Sequence, residues 1–153
     1  MTQNMHCTRR KFITFIGAMT SMVLTPLKLL AAQWNAKAFD ETRFPDSLKS
    51  VGALELIETD QIRLKTPEIA ENGAIVPIRV ISEIPNTEKV FVFAEKNPQP
   101  LVASFTFVKN VEPFFATRIK MGESAKVHVV VRADGKHYTV SRDVKVTIGG
   151  CGE

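Results

Sequence analysis

Histidine, cysteine, tryptophan and tyrosine are scarce in this 153-residue chain, which has three His, two Cys, one Trp and one Tyr. A metal centre needs three or four converging ligands at workable spacing. His128 and His137 each stand alone in the sequence and read as half-exposed sheet residues, so neither a metal nor a bound cofactor is expected. No glycine-rich loop opens a helix, which removes the phosphate cradles of P-loop and dinucleotide-binding folds. Long apolar runs are missing too. The most apolar stretch, from Phe12 to Leu27, is broken by Thr14, Gly17, Thr20, Ser21, Thr25 and Pro26 and closed by Lys28. It falls short of the ~20 residues that a spanning helix requires, and no membrane anchor is expected.

That stretch follows Thr8-Arg9-Arg10-Lys11-Phe12-Ile13, a twin-arginine pattern at Arg9 and Arg10. Twin arginines before a moderately apolar segment read as an export signal of the Tat route, which delivers folded cargo to the periplasm. An ordinary Sec signal is the alternative. The expected organisation is a signal peptide over 1–32, with cleavage as late as 38 at the Ala36-Lys37-Ala38 small-residue pattern, one domain over 33–148 and a short tail over 149–153. Of the 20 basic residues, Arg9, Arg10, Lys11 and Lys28 lie in the first 32, which hold no acid; the remaining 16 balance the 16 acidic ones. The pI of about 9.2 therefore describes the leader, and basicity gives no ground for a nucleic-acid partner.

The same division changes the cysteine count. Cys7 leaves with the signal, and Cys151 becomes the only thiol of the mature chain. A lone cysteine in an exported protein excludes an internal disulfide and points to intermolecular pairing or a free reactive sulfur. Cys7 precedes the apolar segment and so does not match a lipoprotein acceptor. Cys151 sits third from the end, where prenylation needs the fourth. It lies in Gly149-Gly150-Cys151-Gly152-Glu153, and glycine's freedom in φ makes such a run resist regular structure. Five extended residues reach at most about 17 Å, enough to carry the sulfur into a narrow channel while the body stays outside. A thiol on a flexible tether cannot be held against a catalytic histidine, so no self-contained cysteine catalysis is expected. Its pKa should lie near the ordinary ~8.5, leaving activation to partners.

The body changes period along its length. Trp34, Ala38 and Phe39, then Leu48 and Val51, recur at helical spacing, with Asp46 or Ser47 as N-cap and Gly52 as stop; short helical turns are expected within 34–58. From Gln61 onward apolar residues alternate. Val76, Ile78 and Val80 share a face, Val90 and Val92 oppose Phe91 and Phe93, and Val127, Val129 and Val131 line one side of a later strand. Turn chemistry separates these runs at Asn72-Gly73, Pro85-Asn86, Asn97-Pro98-Gln99-Pro100, Gly122 and Asp134-Gly135, the last a type I′ hairpin signal. Pro77 marks an edge or a bulge, because it cannot donate to a ladder. About seven short strands predict an all-β, immunoglobulin-like antiparallel β-sandwich with a short N-terminal helical segment and a flexible C-terminal Gly-Gly-Cys-Gly tail. In the last strand Val144, Val146 and Ile148 alternate with Asp143, Lys145 and Thr147, anchoring it up to Gly149.

Several segments resemble the SoxY family, the sulfur-carrier subunits of the periplasmic Sox sulfur-oxidation system. They are Ile69-Ala70-Glu71-Asn72-Gly73-Ala74-Ile75-Val76-Pro77, Phe93-Ala94-Glu95-Lys96-Asn97-Pro98, Thr117-Arg118-Ile119-Lys120-Met121 and Val144-Lys145-Val146-Thr147-Ile148-Gly149-Gly150-Cys151-Gly152. The resemblance implies a non-enzymatic carrier paired with a second β-sandwich subunit, SoxZ, holding thiosulfate-derived sulfur covalently on Cys151. Gly149, Gly150 and Gly152 match the glycines of the family's swinging arm. It further implies transient partners: SoxAX, a haem c enzyme that conjugates thiosulfate to the thiol; SoxB, which releases sulfate by hydrolysis; and, where present, SoxCD, which oxidises the remaining sulfane sulfur. The family tail usually ends Gly-Gly-Cys-Gly-Gly. Here Glu153 takes the last place, and its charge should modestly disfavour the thiolate and an anionic substrate. Two other readings stay open on the residues alone: a periplasmic binding or assembly module whose terminal Cys forms an intermolecular disulfide, and a thiol redox enzyme.

Overall fold

The structure, a computed structural model, describes residues 35–147. Among the described residues, two short helices precede nine strands: α1 (Ala36–Asp40), α2 (Phe44–Ser50), β1 (Ile57–Glu58), β2 (Ile62–Lys65), β3 (Ile69–Ala70), β4 (Val76–Ser82), β5 (Thr87–Ala94), β6 (Leu101–Thr106), β7 (Phe114–Ile119), β8 (Ala125–Ala133) and β9 (Lys136–Val146). One sheet runs β1-β9-β8-β5-β6, with β3 also on β9; the other is β2-β4-β7. The expected all-β sandwich is present, with its helical segment before it. Two of the nine strands are two-residue pairings that run parallel to β9, Ile57–Glu58 on Tyr138–Thr139 and Ile69–Ala70 on Lys145–Val146.

The helices fall where helical spacing puts them, but the cap differs. Arg43 is the N-cap of α2, Pro45 occupies its first turn, and Asp46 and Ser47 lie inside the helix. Proline already sets the φ that a first turn needs, which moves the start ahead of Asp46. Gly52, at φ 81°, ends the helix as expected. The Ala53 N–H reaches back to the Leu48 carbonyl and the Gly52 N–H to Lys49, both at 2.9 Å, the two reverse bonds of a left-handed glycine cap.

Strand alternation builds two cores. Val90, Val92, Val127, Val129 and Val131 meet Ile62, Leu64, Val76, Ile78, Val80 and Phe115 between the sheets. Phe91, Phe93, Leu101 and Val130 point the other way, under Ala38, Phe44 and Leu48 of the helices. Phe44 sits edge-on to Phe93 at 5.6 Å. Both faces of β5 and β8 are thus covered, which is why Val129, Val130 and Val131 are all fully buried.

The turns lie where the sequence places them. Asp134 (φ 49°) and Gly135 (φ 72°) join β8 to β9 in the two-residue hairpin. Pro77 lies in the middle strand of the smaller sheet, not in an edge strand. However, β2 pairs with β4 only at Arg79–Ser82, while β7 pairs from Val76. One flank of Pro77 is open, so its missing N–H leaves no ladder bond unmade.

Candidate functional site

The sequence leads one to expect the chemistry on Cys151, with Gly149, Gly150 and Gly152 as its flexible tail; these residues, with the expected export pair Arg9 and Arg10, lie outside the described residues. What the structure describes is the root from which they extend. Val144 is fully buried in the core and Val146 packs against it. On one side of β9 the Lys145 N–H donates to the Glu68 carbonyl at 2.8 Å and the Thr147 N–H to the Ala70 carbonyl at 3.0 Å. On the other, Ser124 Oγ accepts from the Val146 N–H at 2.9 Å and donates to the Val146 carbonyl at 3.3 Å.

A second layer supports this root. Gly73 lies so close beneath it that a Cβ there would collide with the Met121 carbonyl oxygen and with Val146 Cγ1. The Met121 N–H donates to the Gly73 carbonyl at 2.7 Å. Asn97 then clasps the same segment, donating to the Lys120 carbonyl at 2.7 Å and accepting from the Gly122 N–H at 3.0 Å. The segments that carry the family resemblance, 69–77, 93–98, 117–121 and 144–147, therefore converge on one end of the sandwich. Sequence reasoning missed Ser124, and it placed Gly73 and Asn97 in turns and in the family segments without linking them to the root of the tail. The signal was available in part: Asn72-Gly73 faces the motif ending in Met121.

The two histidines stand on adjacent strands but do not form a site. His128 stacks on Phe44 at 4.5 Å and meets Glu95 at 3.4 Å. Burial holds its pKa below the ordinary 6.5, opposed by the hydrogen bond and charge of Glu95. His137 is also lowered, by burial and then by the Arg132 charge. Among the described residues no group of three or more His, Cys, Asp or Glu could hold a metal ion, and no helix is long and apolar enough to cross a membrane.

The backbone of β9 is thus hydrogen-bonded on both sides as far as Thr147. Comparison with known proteins identifies the family. The family model described as sulfur oxidation protein SoxY matches residues 48–151. Among solved structures, the sulfur carrier protein SoxY from Chlorobium limicola f thiosulfatophilum is 38% identical over 74% of this chain and 100% of its own, with a TM-score of 0.64. A superoxide reductase (neelaredoxin) from Ignicoccus hospitalis covers 75% of this chain and 100% of its own at 14% identity, with a TM-score of 0.48. No curated protein matches the chain.

Proposed function

Because the chain belongs to the SoxY family, we propose that it is a periplasmic sulfur carrier, not an enzyme, that holds thiosulfate-derived intermediates covalently on Cys151. The observation that carries this reading is the fixed root. The backbone is held from both sides of β9 through Val146 and Thr147, four residues before the only thiol of the mature sequence. Four residues extend at most about 14 Å, so the sulfur can enter a partner's channel while the sandwich docks outside.

Loading joins the Cys151 sulfur to the outer sulfur of thiosulfate. The thiol gives up a proton, and two electrons pass to a haem c partner of the SoxAX kind. The product is R–S–S–SO3⁻. Hydrolysis by a SoxB-like enzyme then places water's oxygen on the terminal sulfone, releasing sulfate and leaving a persulfide for a SoxCD-like enzyme where one exists. A SoxZ-like β-sandwich subunit is the stable companion, and the twin-arginine leader with Arg9 and Arg10 delivers the chain to the periplasm. The carrier itself needs no cofactor.

The test is Cys151→Ser introduced into cells that respire thiosulfate. Loss of thiosulfate-dependent respiration with an unchanged melting temperature supports the carrier. Retained respiration overturns it, and a disulfide-linked dimer that merely collapses on reduction would favour the assembly-module reading.

A further inference from the structure

The outer face of the smaller sheet carries a cluster of cations that the carrier reading leaves unused. Lys65 on β2 lies directly opposite Arg79 on β4. Arg79 in turn faces Ala116 on β7, with Arg118 two residues further, opposite Pro77. Directly opposed residues on one sheet face have Cβ atoms ~5 Å apart, and like charges in that arrangement repel. Arg63 on the same face is neutralised by Glu83. Lys65, Arg79 and Arg118 have no carboxylate partner among the described residues.

The three cations rim a cleft of about 460 Å³. It opens where β2 has ended and the flank of Pro77 is bare, and the short side chain of Ala116 keeps its floor low. Thr66 and Thr117 also line it. Converging cations without carboxylate partners form a donor set suited to a small oxyanion with several acceptor oxygens. The cleft is close to the tail root: Pro67 on its wall is three residues from Ala70, whose carbonyl holds the Thr147 N–H. Three residues span at most about 11 Å, within the roughly 14 Å from Thr147 to Cys151.

We propose that this cleft binds the sulfonate end of a thiosulfate-type anion, with Lys65, Arg79 and Arg118 supplying the charge. The identity of the anion rests on the carrier reading; the binding site does not. Two sources offer the same –SO3⁻ group, free thiosulfate and the adduct on Cys151.

The test follows the backbone amides of the full mature chain, with sodium thiosulfate titrated at constant ionic strength. Saturable shifts at Thr66, Arg79 and Thr117 are expected, absent with sodium chloride. Lys65→Gln and Arg118→Gln should each weaken binding about tenfold, the effect of one charge-assisted contact, with no change in melting temperature. In a second arm, Cys151 is loaded with tetrathionate, whose attack by the thiolate leaves R–S–S–SO3⁻ and expels thiosulfate. If the adduct is the source, loading alone shifts the same amides and free thiosulfate no longer binds. If free anion is the source, loading leaves them unmoved and thiosulfate still saturates the cleft. Non-saturable shifts, shifts equal in chloride, or shifts unchanged in both variants would overturn the site. Binding that survives in Cys151→Ser while that variant respires normally would sink the carrier reading and keep this one.

Discussion

The hydroxyl of Ser124 meets both backbone groups of Val146, accepting from its N–H at 2.9 Å and donating to its carbonyl at 3.3 Å. One short side chain thus completes the ladder that β8 and β9 leave unfinished beyond Ala125–Val144. Ser124→Ala should cost about 1 kcal/mol, the net worth of such bonding. Amide hydrogen exchange at Val146 and Thr147 should accelerate while exchange at Val129 and Val131 stays slow. Uniform acceleration across the sheet would mean that Ser124 supports the whole fold.

Gly73 answers for the other side of the root. Because an added Cβ would strike a backbone carbonyl and Val146 together, Gly73→Ala has no flexible neighbour to push aside. A loss of about 1–3 kcal/mol is expected, the range for overpacking, read as a lowered midpoint in chemical denaturation. Gly52, with open space around it, is a control: Gly52→Ala is opposed by its positive φ alone.

Acid should weaken the sandwich through His128. Its folded pKa is depressed below 6.5, chiefly by burial, so the unfolded chain takes up the proton first. The stabilising contribution is complete above about pH 6.5 and is lost as pH falls through the folded value. His137 has the same sign. Unfolding free energy measured from pH 8 to 5 should fall below about 6.5, and His128→Gln should shallow the slope. An unchanged slope in that variant would assign the pH dependence elsewhere.

Much of this is legible in the sequence. Asn72-Gly73, Asn97-Pro98 and Asp134-Gly135 favour turns by residue type alone, and each lies between strands at the expected turn. Alternation was less transparent in β5, where valines and phenylalanines are buried on opposite faces. Period two predicts one covered face, and only the packed helices explain the second. The parallel pairings of β1 and β3 were invisible because two residues have no period. Ser124 was missed for a similar reason: beside Gly122 and Glu123 it reads as turn composition, and its role depends on a strand 22 residues away. Cys151 is the reverse case, conspicuous in sequence because the only other cysteine, Cys7, stands before the apolar run near the N-terminus.

Asn97 tests whether the family segments cooperate. Its amide spans Lys120 and Gly122, so Asn97→Ala should loosen the 119–122 segment and, through the Met121–Gly73 bond, the root itself. About 1–2 kcal/mol is expected from two lost hydrogen bonds. A double-mutant cycle with Ser124→Ala should show coupling, and strict additivity would mean that the two clasps act alone.

The central claim is that Cys151 bears sulfur placed there by another protein. Intact and peptide mass measurement on the chain purified under non-reducing conditions from cells oxidising thiosulfate tests it directly. Sulfane and thiosulfonate additions confined to the Cys151 peptide, and removed by reductant, are predicted; an unmodified Cys151 throughout active thiosulfate oxidation would contradict the account.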